Sequence, residues 1–234
     1  MKKIFVTGFP HTGTTIVTEK VHECSGIYKQ NMETMDLIEN PKNSEGVVWK
    51  FPALPPSLKN GGFINKADTL YSDVDIIFLI RNPYYVFSSM KRAGVNPFTF
   101  TNHTIYDYLK TAERFLQAVQ SKYPKVHPIR YEDLFEDNFK NLKSIFDKIG
   151  LNYNDLEGKT KDYLHQWVGE VPKEKPSEAD RELFRTWQIN QTFKNMNDPS
   201  KVNLGTELER ILDESFLVKV LGYENPKNKI NLDI

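Results

Sequence analysis

Short apolar runs alternate with amphipathic stretches along the chain, the order expected when strands of a buried parallel sheet are joined by helices that cover it. Ile4-Phe5-Val6 is the first run and ends at Gly8. Val17, Val21 and Cys24 then fall at i, i+4 and i+7, one face of a helix that closes near Gly26. Val47-Val48-Trp49 predicts a weaker strand. Asp75 to Ile80 predicts the strongest, apolar from Ile76 onward, as a strand covered on both faces must be. Ile105, Leu109, Ala112, Leu116, Val119 and Tyr123 hold a helical stripe, and a strand runs from Val126 to Tyr131. Phe139, Leu142, Ile145, Phe146 and Ile149 predict a helix stopped by Gly150. Beyond that point only helices are predicted, over about 155–167, 177–196 and 204–221, the last ending at Gly222. Gly169 to Ser177 is polar with two prolines and reads as a loop or flap.

The pattern implies an α/β chain with a mainly parallel sheet and a helical C-terminal third, about 151–234, within one domain over 1–234. A hydrophobic content of 39% with 12% aromatics is enough for a real core and excludes wholesale disorder. The 31 Lys+Arg balance 31 Asp+Glu, which argues against a coat for nucleic acid or anionic membrane but leaves room for a local anion site. Lone Cys24 excludes an internal disulfide framework. After Met1-Lys2-Lys3 the apolar run is too short for an export segment, and no run of about 18 apolar residues follows. The expectation is a soluble, cytoplasmic protein without stable membrane insertion. His22, His103, His127 and His165 are scattered without metal spacing, so no metal is expected. No G-x-S-x-G elbow is present, which disfavours acyl transfer by a nucleophile.

Gly8-Phe9-Pro10-His11-Thr12-Gly13-Thr14-Thr15 joins the first strand to the first helix and has the frame of a phosphate loop, with Thr14 where the lysine would stand. Gly13 permits the tight turn. The N–H groups of Thr12 to Thr15 converge on a helix N-terminus, where an anion is favoured, and three threonine hydroxyls add donors. The same residues would also serve merely to turn and cap a strand–helix junction. A Mg-dependent NTPase is disfavoured, because Ile80 is followed by Arg81 and not by an aspartate.

The loop resembles the 5′-phosphosulfate loop of sulfotransferases, G-x-P-K/R-S/T-G-T-T. Arg81-Asn82-Pro83 with Ser89 eight residues after the arginine is similar to that family's 3′-phosphate motif. Arg81 would bring a planar fork and Ser89 a hydroxyl on the following helix. Arg130-Tyr131-Glu132-Asp133-Leu134 matches the family's R-Y-E-D-L segment, whose tyrosine lies near adenine. Glu132 and Asp133 read equally as first-turn acids of a helix. Phe184-Arg185-Thr186-Trp187 and Leu221-Gly222-Tyr223 resemble its C-terminal arginine/tryptophan region and closing L-G-Y.

The resemblance implies a P-loop NTPase-like three-layer α/β sandwich that transfers a sulfuryl group from 3′-phosphoadenosine 5′-phosphosulfate (PAPS), leaving adenosine 3′,5′-bisphosphate (PAP), to a hydroxyl or amine. His11, Thr12, Gly13, Thr14, Thr15, Arg81, Ser89, Tyr131 and Arg185 would bind the cofactor. His11 stands where the family often has a cation, and as imidazolium its charge would depend on pH. Lys50, in Trp49-Lys50-Phe51-Pro52, resembles the family's K-x-P lysine and otherwise reads as a solvated lysine by a turn. Where relatives carry a histidine two residues later, this chain has Pro52. Other branches of the family use a glutamate just after the second strand, and Glu33 occupies a comparable place, so the resemblance makes it the first choice of general base and His11 the second, the bland alternative for Glu33 being an exposed loop acid.

A small-molecule or saccharide acceptor would be sought among residues 51–66, at Phe98-Thr99-Phe100 with His103, and at the flap 165–177, where Phe51, Phe63 and Trp167 add aromatic surface. With most of the chain spent on the cofactor core, that site is expected to be shallow or shared. The alternatives are a nucleotide-binding protein with a degenerate loop and no catalysis, or a phosphoryl-transfer enzyme.

Overall fold

The computed structural model describes residues 1–31, 33, 37, 42–52, 72–99, 104–121, 123–154, 156, 168–177 and 180–230. Five strands form one sheet: β1 (Lys2–Gly8), β2 (Ile27–Lys29), β3 (Gly46–Phe51), β4 (Asp75–Ile80) and β5 (Val126–Arg130). Their order is β2-β3-β1-β4-β5 and every pairing is parallel. The most apolar strands take the middle. Ile4 of β1 faces Val48 of β3 on one side and Asp75 of β4 on the other.

Strand alternation divides the core into two layers. Phe5, Trp49, Ile76, Phe78 and Ile80 point to one face, packed with α2 (Pro83–Arg92), α3 (Ile105–Ser121) and α6 (Thr206–Glu214). Ile4, Val6, Val48, Ile77 and Leu79 point to the other, packed with α1 (Thr14–His22) and α4 (Lys140–Ile149). The result is the three-layer α/β sandwich that the pattern predicts, here with an all-parallel sheet. Parallel strands bring all their carboxyl ends to one edge, which is where such folds bind ligands.

Several predicted boundaries shift for local reasons. β2 is a three-residue edge strand with Tyr28 and Lys29 only half-buried, too short and too polar to register as an apolar run. Lys50, expected after a strand, lies within β3. The helix expected over 177–196 is α5 (Arg181–Ile189): Asp180 accepts from the Leu183 N–H at 3.3 Å and starts it, and the chain is extended after Asn190. The helix expected over 204–221 is two, α6 and α7 (Phe216–Val220), because the Ser215 hydroxyl caps the Val218 N–H at 3.4 Å and begins a new helix. Residues 157–167, most of another expected helix, lie outside the described residues. Among the described residues no helix is long and apolar enough to cross a membrane.

The amino end of β4, opposite the carboxyl edge, is held by charge. His127 Nε2 lies 2.9 Å from Asp75 Oδ1, and Lys125 Nζ donates to Oδ2 at 3.1 Å. Burial alone would raise the Asp75 carboxyl, but hydrogen bonds from His127 and Lys125 outweigh it and hold the group below its ordinary 3.8. A depressed carboxyl stabilises the fold above its unfolded value, and that stability is lost as pH falls through the folded one. Asp75→Asn should therefore lower unfolding free energy near neutral pH by about 1–3 kcal/mol. It should also flatten the acid limb between about pH 5 and pH 2, as read by urea titrations across that range.

Candidate functional site

The turn from β1 into α1 is built by close approach. A Cβ on Gly8 would meet Leu79 O at 2.4 Å, so only glycine lets the loop leave the sheet against β4. His11 (φ 65°) and Gly13 (φ 93°) both take left-handed backbone and swing the chain onto the helix N-terminus. Thr12 is fully buried and its hydroxyl donates to Phe9 O at 2.6 Å, bracing the turn. Gly13 is the N-cap and offers no side-chain bond, and the first turn of α1 carries no acid. The backbone N–H groups there keep the positive end of the helix for a ligand.

Two cations from distant elements converge on Thr15. Its Oγ1 accepts from Lys50 Nζ at 2.9 Å and from Arg185 Nη2, on α5, at 2.7 Å. Lys50 lies beside the loop because β3 pairs in register with β1, Lys50 opposite Val6. The Lys50 ammonium is also paired with the Glu33 carboxylate. Burial pushes the Lys50 amine below its usual range, Glu33 opposes that shift, and Arg185 adds to it. The lysine missing at Thr14 is thus answered by Lys50 and Arg185 reaching in from other elements.

Arg81, directly after β4, forms the other end. Asn82 caps α2 by accepting from the Tyr84 N–H at 3.1 Å, and Pro83 opens the helix, so the residue before them is held at the strand end. The guanidinium lies 4.3 Å from the Tyr131 ring centroid and 5.9 Å from that of Tyr85. Nη1 donates to His11 O at 3.1 Å, while Nε and Nη2 both donate to Asn197 Oδ1, at 2.8 and 2.6 Å. Burial lowers the Arg81 pKa, and Tyr131 and Glu132 oppose the shift. Ser89, on α2, lies 2.9 Å from His11 Nδ1. Tyr108 OH donates to Arg81 O at 2.8 Å, fixing the backbone beneath.

The residues singled out from sequence therefore fall into two adjoining groups on one sheet edge: Thr15, Lys50, Glu33 and Arg185, and His11, Arg81, Ser89 and Tyr131. Thr12, Gly13 and Thr14 form the loop of which Thr15 and His11 are the flanks. Asn197, Tyr108 and the bracing part of Glu132, whose carboxylate accepts from Asn82 N at 3.1 Å and Asn197 Nδ2 at 3.0 Å, were not legible. Asn197 sits in a polar stretch without pattern, and Tyr108 reads as one more core aromatic. Of the expected acceptor segments, residues 53–66, Phe100, His103 and residues 165–167 lie outside the described residues. Phe98 lines a cavity of about 550 Å³ together with Phe87, Val95, Leu204 and Leu208. Among the described residues no group of three or more His, Cys, Asp or Glu is placed to hold a metal.

The fold is a parallel α/β sandwich whose first strand leads through a glycine-rich turn into the first helix. The chain belongs to the sulfotransferase family: the family's model, described as "Sulfotransferase family", matches residues 18–155, more than half of the chain. The sulfotransferase domain from the Synechococcus PCC 7002 olefin synthase shares the fold, with 16% identity over 96% of this chain and 95% of that one, at a TM-score of 0.53. So does the sulfotransferase domain from the curacin biosynthetic pathway, with 15% identity over 95% and 98%, at 0.52. Mouse sulfotransferase SULT7A1, complexed with PAP, aligns at 16% identity over 88% and 69%, at 0.44. No curated protein matches the sequence.

The loop's packing yields a direct check. A Cβ on Gly13 would lie 2.7 Å from Tyr131 Cδ2, and the φ of 93° is itself costly for an L side chain. Gly13→Ala should destabilise the fold by about 1–2 kcal/mol from the backbone alone, with the ring clash added to that. In a Tyr131→Ala background only the backbone part should remain, a coupling that a double-mutant cycle by urea denaturation measures.

Proposed function

We propose that this chain is a PAPS-dependent sulfotransferase whose donor lies along the carboxyl edge, its 5′ end on Thr12 to Thr15 and its 3′-phosphate on Arg81 and Ser89. The observation that carries the reading is the pairing of two anion-binding groups on that edge, joined through His11. One is a helix N-terminus reinforced by Lys50 and Arg185. The other is the Arg81 fork, which reaches His11 O at 3.1 Å. Family membership supports the activity.

PAPS supplies an activated sulfuryl group. As the acceptor oxygen or nitrogen bonds to sulfur, the bond from sulfur to the bridging oxygen breaks and PAP carries the negative charge away. Backbone N–H groups of the loop, the Thr14 and Thr15 hydroxyls, Lys50 and Arg185 would stabilise that charge, a role supported by Lys50 and Arg185 meeting at Thr15. Tyr131 would flank the adenine end. The acceptor's proton goes to Glu33, which becomes available as a base when Lys50 turns from it towards the donor; His11 is the second choice. We read the acceptor as a small molecule or saccharide, the chain as one domain and its place as the cytoplasm.

A titration tests the reading. PAP should bind more tightly than ADP with Mg²⁺, and Arg81→Ala should weaken PAP by about 1.5–3 kcal/mol, removing most of that preference. Equal affinity for the two ligands, or a preference that survives Arg81→Ala, overturns it. With labelled PAPS and an acceptor panel, Lys50→Met should lower kcat by about 10²–10³-fold while PAP affinity changes much less. PAP binding without any sulfated product from the panel would leave a non-catalytic binder.

A further inference from the structure

We infer that Asn197 competes with the ligand for the Arg81 end: its amide oxygen holds the place of a phosphate oxygen, so a 3′-phosphate must displace it and binds more weakly than the open fork would allow. The inference rests on the reading of Arg81 as the 3′-phosphate fork. Nε and Nη2 form one edge of the guanidinium, the edge that takes a phosphate through two parallel bonds. Both donate to the single Oδ1 of Asn197, at 2.8 and 2.6 Å. The amide cannot be the other way round, because its Nδ2 donates to Glu132 Oε1 at 3.0 Å. A guanidinium only donates and a carboxylate only accepts, so the two neighbours together fix which atom faces Arg81.

The charge balance marks the oxygen as a stand-in. Among the described residues the hydrogen-bond acceptors on Arg81 are neutral, the Asn197 amide and the His11 carbonyl. Glu132 is kept on other donors: Asn82 N at 3.1 Å, Asn197 Nδ2, and Tyr223 OH at 3.3 Å. A half-buried guanidinium with only neutral hydrogen-bond acceptors gains from exchanging one for an anion, because the anion adds a direct attraction between opposite charges that an amide dipole lacks.

Asn197 can leave without its backbone moving, giving up its Nδ2 bond to Glu132, which keeps Asn82 N and Tyr223 OH as donors. It belongs to the extended segment after α5, which is pinned on one side by Phe193, stacked on Phe139 with ring centroids 5.3 Å apart. On the other side the Asp198 carboxylate accepts from the Ser200 N–H at 3.0 Å and starts a short 3₁₀ turn, Pro199–Lys201. Between these anchors the Met196 N–H donates to Tyr131 OH at 3.1 Å. Rotation about the side-chain bonds of Asn197 clears the fork while this backbone stays in place. A nucleotide without 3′-phosphate leaves the amide where it is. One with 3′-phosphate must displace it, and its apparent affinity is reduced by the fraction of molecules in which the fork is filled.

Titration of PAP and of ADP into wild type, Asn197→Ala and Asn197→Asp, with thermal unfolding as the check on folding, tests this. Asn197→Ala should tighten PAP by about fivefold and leave ADP within about twofold. Asn197→Asp places a carboxylate on Arg81 and should weaken PAP by about tenfold, again sparing ADP. Weaker or unchanged PAP binding in Asn197→Ala overturns the inference, the first making Asn197 a ligand contact. An equal shift for both nucleotides reduces it to a structural residue and overturns it too. Should Asn197→Ala not fold, Asn197→Ser, whose side chain is too short to fill the fork, takes its place with the same expected and overturning results. If wild type prefers PAP and Arg81→Ala removes that preference, the 3′-phosphate reading stands whatever Asn197 does; if wild type shows no preference, that reading falls first.

Discussion

The Tyr131 ring lies against Gly13 on one side and 4.3 Å from the Arg81 guanidinium on another, so one side chain sets the distance between the loop and the fork. Its backbone is tied to the sheet, with the Tyr131 N–H donating to Ile80 O at 2.7 Å, one residue before Arg81. Its hydroxyl accepts from Met196 N at 3.1 Å and so carries the segment that bears Asn197. Gly13 has to be glycine because that ring leaves no room for a Cβ. The geometry of both groups thus hangs on one aromatic at the end of an edge strand, in a place where a flat, rigid ring can serve three neighbours at once.

Charge in this site is delivered from a distance. A lysine in the loop would carry its own cation wherever the loop goes. Thr14 in its place makes the positive field depend on β3 pairing with β1 and on α5 docking over the loop. Burying Lys50 works against its charge, and Arg185 works against it further, so the Glu33 carboxylate beside it keeps the arrangement tolerable without an anion. At the other end Tyr131 and Glu132 offset the cost of burying Arg81, while a neutral amide fills its hydrogen-bonding edge. The two ends differ in kind: a carboxylate compensates a flexible ammonium, while an amide fits the flat fork.

The family match begins at residue 18, after the loop of Gly8 to Thr15, so the loop's geometry is independent of it. The balance of charges in the whole chain, 31 against 31, gives no hint of the site. The local field comes from a helix N-terminus and a few placed cations, and it does not need an excess of basic residues elsewhere.

The sequence by itself determined the layers and the two motifs. Runs such as Ile76 to Ile80 can be buried only between two helical layers, and Gly8 to Thr15 and Arg81 to Ser89 keep their spacing because each lies on one continuous strand–turn–helix unit. Local order also accounts for what was misjudged: β2 is too short to show a period, and the capping carboxylate of Asp180 and hydroxyl of Ser215 reset helix boundaries that apolar spacing alone ran together. Only the tertiary structure decided which distant residues complete the site. Arg185 lies 170 positions from Thr15, and Asn197 lies 116 from Arg81. No periodicity links such pairs. They meet because parallel pairing stacks every strand's carboxyl end along one edge, and the helical third of the chain packs back across it.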